Sequence, residues 1–321
     1  MMQRFKTLMT ALSLGLIIVA TTPIAFAAQP LLTPKELQIR LIDPNVRVID
    51  IRDAKAYAVG HIPGAINAPY GQWRGPASNP GELPTLPKLT TLVQSLGLSP
   101  ATHAVVVSSG ADATDFGASA RVYWTLKVLG LKELSVLNGG VKAWSNAQLP
   151  QNNQAVKIAA SNYQPQLDAS LIASTDEVAQ HVKAKDALLI DARPAAFFNG
   201  ETRAPAARVA GTLPAAVNLQ HDKWFVPGSA IFVGTDQAKQ IAASSPIHSA
   251  KETVSFCNTG HWAATNWFAL SEVLGQPKVK LYPGSMAAWS QDPNGLPIAN
   301  QPSRTAQLMM DAKLWIAKTF N

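Results

Sequence analysis

The same ordered set of short segments occurs twice along this chain. Val48-Ile49-Asp50-Ile51-Arg52 in the first half is matched by Leu189-Ile190-Asp191-Ala192-Arg193 in the second. Gly60-His61-Ile62-Pro63-Gly64-Ala65-Ile66-Asn67 is matched by Gly211-Thr212-Leu213-Pro214-Ala215-Ala216-Val217-Asn218. Leu137-Asn138-Gly139-Gly140-Val141-Lys142-Ala143-Trp144 is matched by Leu281-Tyr282-Pro283-Gly284-Ser285-Met286-Ala287-Ala288-Trp289. A chain made of two copies of one unit is constrained to fold as two similar units. With 321 residues, each copy is long enough to bury its own core.

Within each copy, short apolar runs alternate with helical patterns. Residues 47–51, 103–107 and 134–137 read as buried strands, and so do 187–190, 253–256 and 279–281. Residues 118–129 and 263–274 have helical length and stop at Gly130 and Gly275. Alternation of this kind predicts an α/β fold, each repeat a central parallel sheet flanked by helices. The polar, Pro- and Asn-containing stretch 151–164 reads as a linker between repeats at 28–150 and 165–300. A last helix, within 301–321, is expected to pack on the body.

Residues 1–27 have the layout of a cleavable signal peptide. Arg4 and Lys6 precede the apolar run 8–20, and Ala25-Phe26-Ala27 supplies the small-x-small cleavage pattern. That run is short for a spanning helix, which needs about 20 apolar residues. Export to the periplasm and no membrane attachment after cleavage are the expectation. The formal charge of +7 is carried without any Lys/Arg run, so it reads as a mildly basic, solvated surface and not as a nucleic-acid site. The six histidines are scattered, with no Cys/His pair at metal-ligand spacing, and no cofactor motif is visible.

The chain has one cysteine, Cys257, so an internal disulfide is impossible. Cys257 follows the strand 253–256 and precedes Asn258-Thr259-Gly260-His261-Trp262 and a helix. Ligands bind at such carboxyl ends of parallel strands. Loop amides and the helix dipole there favour a thiolate over a thiol, and Gly260 suits a loop curled tightly around the sulfur. The first repeat carries Ser108-Ser109-Gly110-Ala111-Asp112 instead and is expected to continue as loop to Gly117, with Asp112 and Asp115 solvated.

Together, the Ile-Asp-x-Arg strands, residues 60–67, residues 138–144 and the Cys-x-x-Gly-x-x-Ala segment 257–263 resemble the tandem-domain rhodanese-like sulfurtransferases. The likeness covers roughly residues 32–297. It implies an inactive first domain, a catalytic second domain, and a Cys257 persulfide that carries sulfur from a small donor of thiosulfate or mercaptopyruvate type to a cyanide or thiol acceptor, including a periplasmic thiol protein. A non-turnover sulfur carrier on the same fold is the alternative. The six-residue loop from Cys257 to Trp262 matches relatives acting on sulfur. Ala263 stands where cysteine phosphatases need an arginine to clamp phosphate.

The resemblance places Asn258, Thr259, Gly260, His261, Trp262 and Arg193 around the donor. The loop lacks the Arg or Lys that thiosulfate-preferring members carry, and it lacks the small neutral residues of mercaptopyruvate types. His261 reads as a partial cation, a hydrogen-bond donor or a passive surface residue. Trp262 reads as a pocket wall or as interdomain packing. Arg193 reads as an anion binder or as a partner of Asp191, with Arg52 its counterpart in the first repeat.

Overall fold

The computed structural model describes residues 28–246 and 250–320. The expected signal peptide lies outside the described residues. The first sheet contains β1 (Leu31–Leu32), β2 (Val46–Asp50), β3 (Ile66–Asn67), β4 (His103–Val107) and β5 (Leu134–Leu137). Its order is β1-β5-β4-β2-β3, with every pairing parallel. The second contains β6 (Ala187–Asp191), β7 (Val217–Asn218), β8 (Glu252–Phe256) and β9 (Val279–Leu281) in the order β7-β6-β8-β9, again parallel. A parallel bridge from Ile172 to Leu281 stands where β1 stands in the first sheet. The two repeats therefore share one topology. Every residue of β4 and β5 is buried, as a parallel sheet covered on both faces requires.

The duplicated Asp-x-Arg motif is a structural clamp in both copies. Arg193 donates from Nε and Nη2 to Asp191 (2.6 Å for the shortest contact) and from Nη2 to the Gly211 carbonyl. Arg52 makes the same bonds to Asp50 and the Gly60 carbonyl. Asn218 and Asn67 each donate to the main-chain carbonyls of both members of the pair. The clamp ties the end of the central strand to the segment that enters the neighbouring strand. That need explains why the pattern recurs in a repeat with no cysteine.

The helix after each loop lies between the two repeats. Ala113–Val128 and Trp262–Trp267 pack on one another and are buried on nearly all faces. Phe116 meets Phe225, Phe232 and Phe268 at 5.1–5.6 Å between centroids, so one apolar core spans both repeats. Both loops are thereby brought to the domain interface.

Two helix boundaries and the packing of the last helix differ from expectation. The first helix starts at Ala113, not residue 118, because the Asp112 side chain caps it by accepting from the Asp115 amide. The second starts at Trp262 and widens into a π-helical turn over Phe268–Val273. The C-terminal helix, Arg304–Phe320, touches the body through Arg203–Asp311 and Gln307, while Leu308, Met309, Trp315 and Ile316 are exposed. Its packing is thus narrower than its apolar content suggests. No helix among the described residues is long and apolar enough to cross a membrane.

Candidate active site

Register places Asp191 beside Phe256, so Cys257 follows directly from the strand next to the Asp191–Arg193 clamp. Cys257 is 1% exposed. Its carbonyl accepts from the Met286 amide, and the Asn258 carbonyl accepts from the Ala287 amide. Val141 and Lys142 make the equivalent bonds to Ser108 and Ser109. Ser108 therefore occupies the Cys257 position in the first repeat.

The loop amides do not close on the sulfur as expected from the sequence, because a neighbouring hydroxyl takes them. The amides of Cys257 and Gly260 donate to Ser285 Oγ at 3.0 and 3.1 Å, and that hydroxyl donates to the Tyr282 carbonyl. Among the described residues, no hydrogen bond reaches the sulfur itself. Ser285 is held at φ +51°, a left-handed conformation uncommon for serine. Its counterpart in the repeat alignment is Gly140, at φ +57°. The backbone shape is inherited, and the second repeat adds a hydroxyl there to organise the loop. Sequence reasoning passed over Ser285, although the replacement of a repeat glycine by serine beside the cysteine loop was a visible signal. Ser285→Ala leaves two buried N–H groups without an acceptor. It is expected to cost about 1–3 kcal/mol in denaturant unfolding, and Ser285→Thr is expected to be destabilising too, because a β-branched residue is strained at this positive φ.

The first repeat fills its loop differently. Asp115 accepts from the Gly110 and Ala111 amides and from Ser109 Oγ. Asp112 is thus a helix cap that stays solvated, as expected, whereas Asp115 is a half-buried carboxylate that closes the loop and not a solvated loop residue. Helical phasing from Ala113 turns the Asp115 carboxylate back onto the loop.

The expected site residues do gather here. Arg193 lies behind the loop, 1% exposed, with Nη1 donating to Asn258 Oδ1 at 3.3 Å. Its other donors are taken by Asp191 and Gly211, so its position is that of the pairing reading. Thr259 offers its carbonyl and hydroxyl to Arg74 Nη2, at 2.9 and 3.1 Å. Gly260 sits at φ +67°, and a Cβ there would fall 2.4 Å from Arg121 Nη1 and 2.8 Å from the Pro283 carbonyl. Arg74, Arg121 and Tyr70 were not singled out from the sequence for this loop. They lie on the first repeat, 139 to 191 residues from their partners.

His261 Nε2 meets the Thr114 carbonyl at 2.7 Å, so that nitrogen carries the proton. Its Nδ1 then accepts from the Tyr70 hydroxyl at 2.8 Å, and Arg74 Nη1 donates to the same hydroxyl. Burial, with Arg74 close by, pushes the His261 pKa down to about 4. The partial-cation reading of His261 therefore fails at neutral pH, because a proton on Nδ1 would face a committed donor and a guanidinium. Trp262 Nε1 donates to Thr114 Oγ1, and the indole stacks on His221 at 4.8 Å. Both side chains join the repeats.

A depressed histidine pKa has a defined effect on stability. The neutral ring stabilises the fold fully above the unfolded value of about 6.5, and that contribution is lost as pH falls toward 4. Between pH 7.5 and 5 the loss from His261 is about 2 kcal/mol. Burial lowers His103 and His221 as well, which adds in the same direction. Urea midpoints at the two pH values measure this, and His261→Asn should lose clearly less on acidification.

One other cluster converges away from the loop. Glu177, His181 and Glu252 bring ligand-type atoms within 4.8 Å of one another. Lys280 bonds both carboxylates, and His181 also meets Asp186 at 2.6 Å. An ammonium thus already sits between the two glutamates.

The rhodanese-like domain family model matches residues 33–147 and 174–292. A thiosulfate sulfurtransferase of Azotobacter vinelandii is 32% identical over 271 residues, 84% of this chain and 97% of that one. A probable 3-mercaptopyruvate sulfurtransferase of Pseudomonas aeruginosa is 30% identical over 286 residues, 82% of this chain and 95% of its own. The crystal structure of SseA from Escherichia coli, described with the rhodanese fold of 3-mercaptopyruvate sulfotransferases, superposes with a TM-score of 0.71 at 25% identity. It covers 80% of this chain and 99% of SseA.

Proposed function

The chain belongs to the rhodanese-like family and is a sulfurtransferase, and from that premise we propose that it carries sulfur on Cys257 as a persulfide. The observation that supports this reading most is the contrast at one position of the repeat. Cys257 and Ser108 share backbone surroundings, but only the second repeat has a thiol and a loop without an internal carboxylate.

In the proposed cycle the Cys257 thiolate attacks the outer sulfur of a donor such as thiosulfate. A bond forms between the two sulfurs, the donor's sulfur–sulfur bond breaks, and sulfite leaves with the electron pair. Cys257 then bears a persulfide anion. Cyanide or a thiolate attacks the outer sulfur, departs carrying it, and regenerates the Cys257 thiolate. Two displacements at one nucleophile give ping-pong kinetics. No redox partner is required. Ser285 holds the loop in shape through two amides, and Arg193 fixes Asn258 from behind.

Incubation with thiosulfate or mercaptopyruvate plus cyanide is expected to yield many thiocyanate molecules per protein. A single equivalent, with no further release, contradicts turnover and leaves the carrier role. Export to the periplasm, resting on the pattern in residues 1–27, is part of the same proposal. Secreted material is expected to begin near Ala28 on N-terminal sequencing, and a mature chain retaining Arg4 and Lys6 contradicts it.

A further inference from the structure

Arg121 is a guanidinium at 0% exposure, and it has no carboxylate partner among the described residues. Its Nη1 and Nη2 donate to the carbonyls of Gly260 and Gly81, at 3.2 and 2.8 Å, and its Nε has no acceptor. Arg74 is likewise bonded to neutral oxygens, those of Tyr70 and Thr259. The two cations come from different elements of the first repeat and converge on one loop of the second. Burying a charge without a counter-charge is costly, and placing a second like charge beside it adds to the cost.

Burial and Arg74 push the Arg121 pKa down to about 9, which leaves it charged at neutral pH. Through the Gly260 and Thr259 carbonyls both guanidinium groups lie against the loop that begins at Cys257. Arg74 also lines an open cavity of about 760 Å³, walled in addition by Gly71, Glu82 and Lys88.

We propose that the cysteine-less repeat supplies the charged half of the active site, with Arg121 and Arg74 forming the subsite for the anionic end of a dianionic, thiosulfate-type donor. The inference rests on the sulfur-transfer reading and deepens it. It accounts for a cysteine loop that holds no Arg or Lys, because both guanidinium groups arrive from the other domain. It also gives the first repeat a task beyond scaffolding. A guanidinium pair suits the three oxygens of a sulfonate-like end, in a dianion whose charge is shared with the outer sulfur, better than a single carboxylate.

Binding can be read without turnover in a Cys257→Ser background, by calorimetric titration. The probes are thiosulfate and methanethiosulfonate, which has similar shape and one charge fewer. Arg74→Gln should weaken thiosulfate binding at least tenfold and methanethiosulfonate binding clearly less. Arg74→Lys should recover part of the difference, and Arg121→Lys should weaken thiosulfate through loss of the fork. A merely structural role weakens both probes alike. Because Arg74 is half-buried, its variants are the ones expected to fold, and circular dichroism verifies this. Thiosulfate binding unchanged in Arg74→Gln, equal losses for both probes, or no thiosulfate binding in the Cys257→Ser protein overturns the proposal. Persulfide formation in the wild-type protein is measured separately, so failure of the subsite and failure of the sulfur-transfer reading are told apart.

Discussion

Cys257→Ser is expected to reduce thiocyanate formation by on the order of a thousandfold or more, while the protein stays folded. The chemical half of this expectation follows from acidity. A thiol supplies a nucleophilic thiolate near neutral pH, whereas an unassisted serine hydroxyl does not. The structural half follows from the repeat itself. Ser108 already occupies the corresponding strand end, with its carbonyl accepting from Val141 as that of Cys257 accepts from Met286. The backbone of this unit therefore accommodates serine, and the thermal midpoint should stay within about 2–4 °C of wild type. Loss of activity accompanied by unfolding would show that Cys257 serves packing first.

Asp191→Ala is expected to be the most destabilising of the substitutions considered, at about 3–5 kcal/mol. Asp191 is 0% exposed and accepts from the Arg193 backbone and guanidinium and from Thr212 Oγ1. Its removal strands a guanidinium that is 1% exposed and a buried hydroxyl together. The same clamp in the first repeat provides an internal control. Arg52 is 12% exposed on its side chain, so Asp50→Ala leaves a cation that water can partly reach. Guanidinium chloride unfolding should show the smaller loss for Asp50→Ala. Equal losses would mean that burial of the arginine does not set the cost. Asn258 also depends on Arg193, so Asp191→Ala should disturb the cysteine loop before the rest of the domain.

The fold was legible because its signals are local and repeated. Apolar runs of strand length, helix-stopping glycines and the doubled Asp-x-Arg and Gly-Trp segments each carry their meaning within a few residues. The position of Cys257 at a strand end was legible for the same reason. The charged surroundings of the cysteine were not. Arg121 sits within an apolar helix, and nothing in its immediate neighbourhood distinguishes it from a core-capping arginine. Its contact with Gly260 exists only because two post-loop helices pack across the repeats. Arg74 carries no local mark either, since a polar residue after a strand does not announce its partner. The three readings of His261 stayed open because Tyr70 and Thr114, which fix its tautomer and leave it a hydrogen-bond donor, come from the other repeat. Asp115 was placed in a loop because its cap, Asp112, was not recognised as one.

Division of labour between two copies of one unit follows from these contacts. The first repeat has the same clamp and strand order, carries Ser108 where the second has its thiol, and fills its loop with Asp115. The second kept the thiol and gained Ser285 as the loop's organiser. Each copy presents its loop to the same interface, where Thr114, Tyr70, Arg74 and Arg121 of one meet residues 259–262 of the other.

Intact-protein mass after exposure to a sulfur donor tests the core of this scheme. The wild-type chain should gain one sulfur, about 32 Da, lose it on addition of a thiol, and gain nothing when residue 257 is serine. No mass gain with either thiosulfate or mercaptopyruvate, or an identical gain in Cys257→Ser, would contradict a sulfur relay at Cys257.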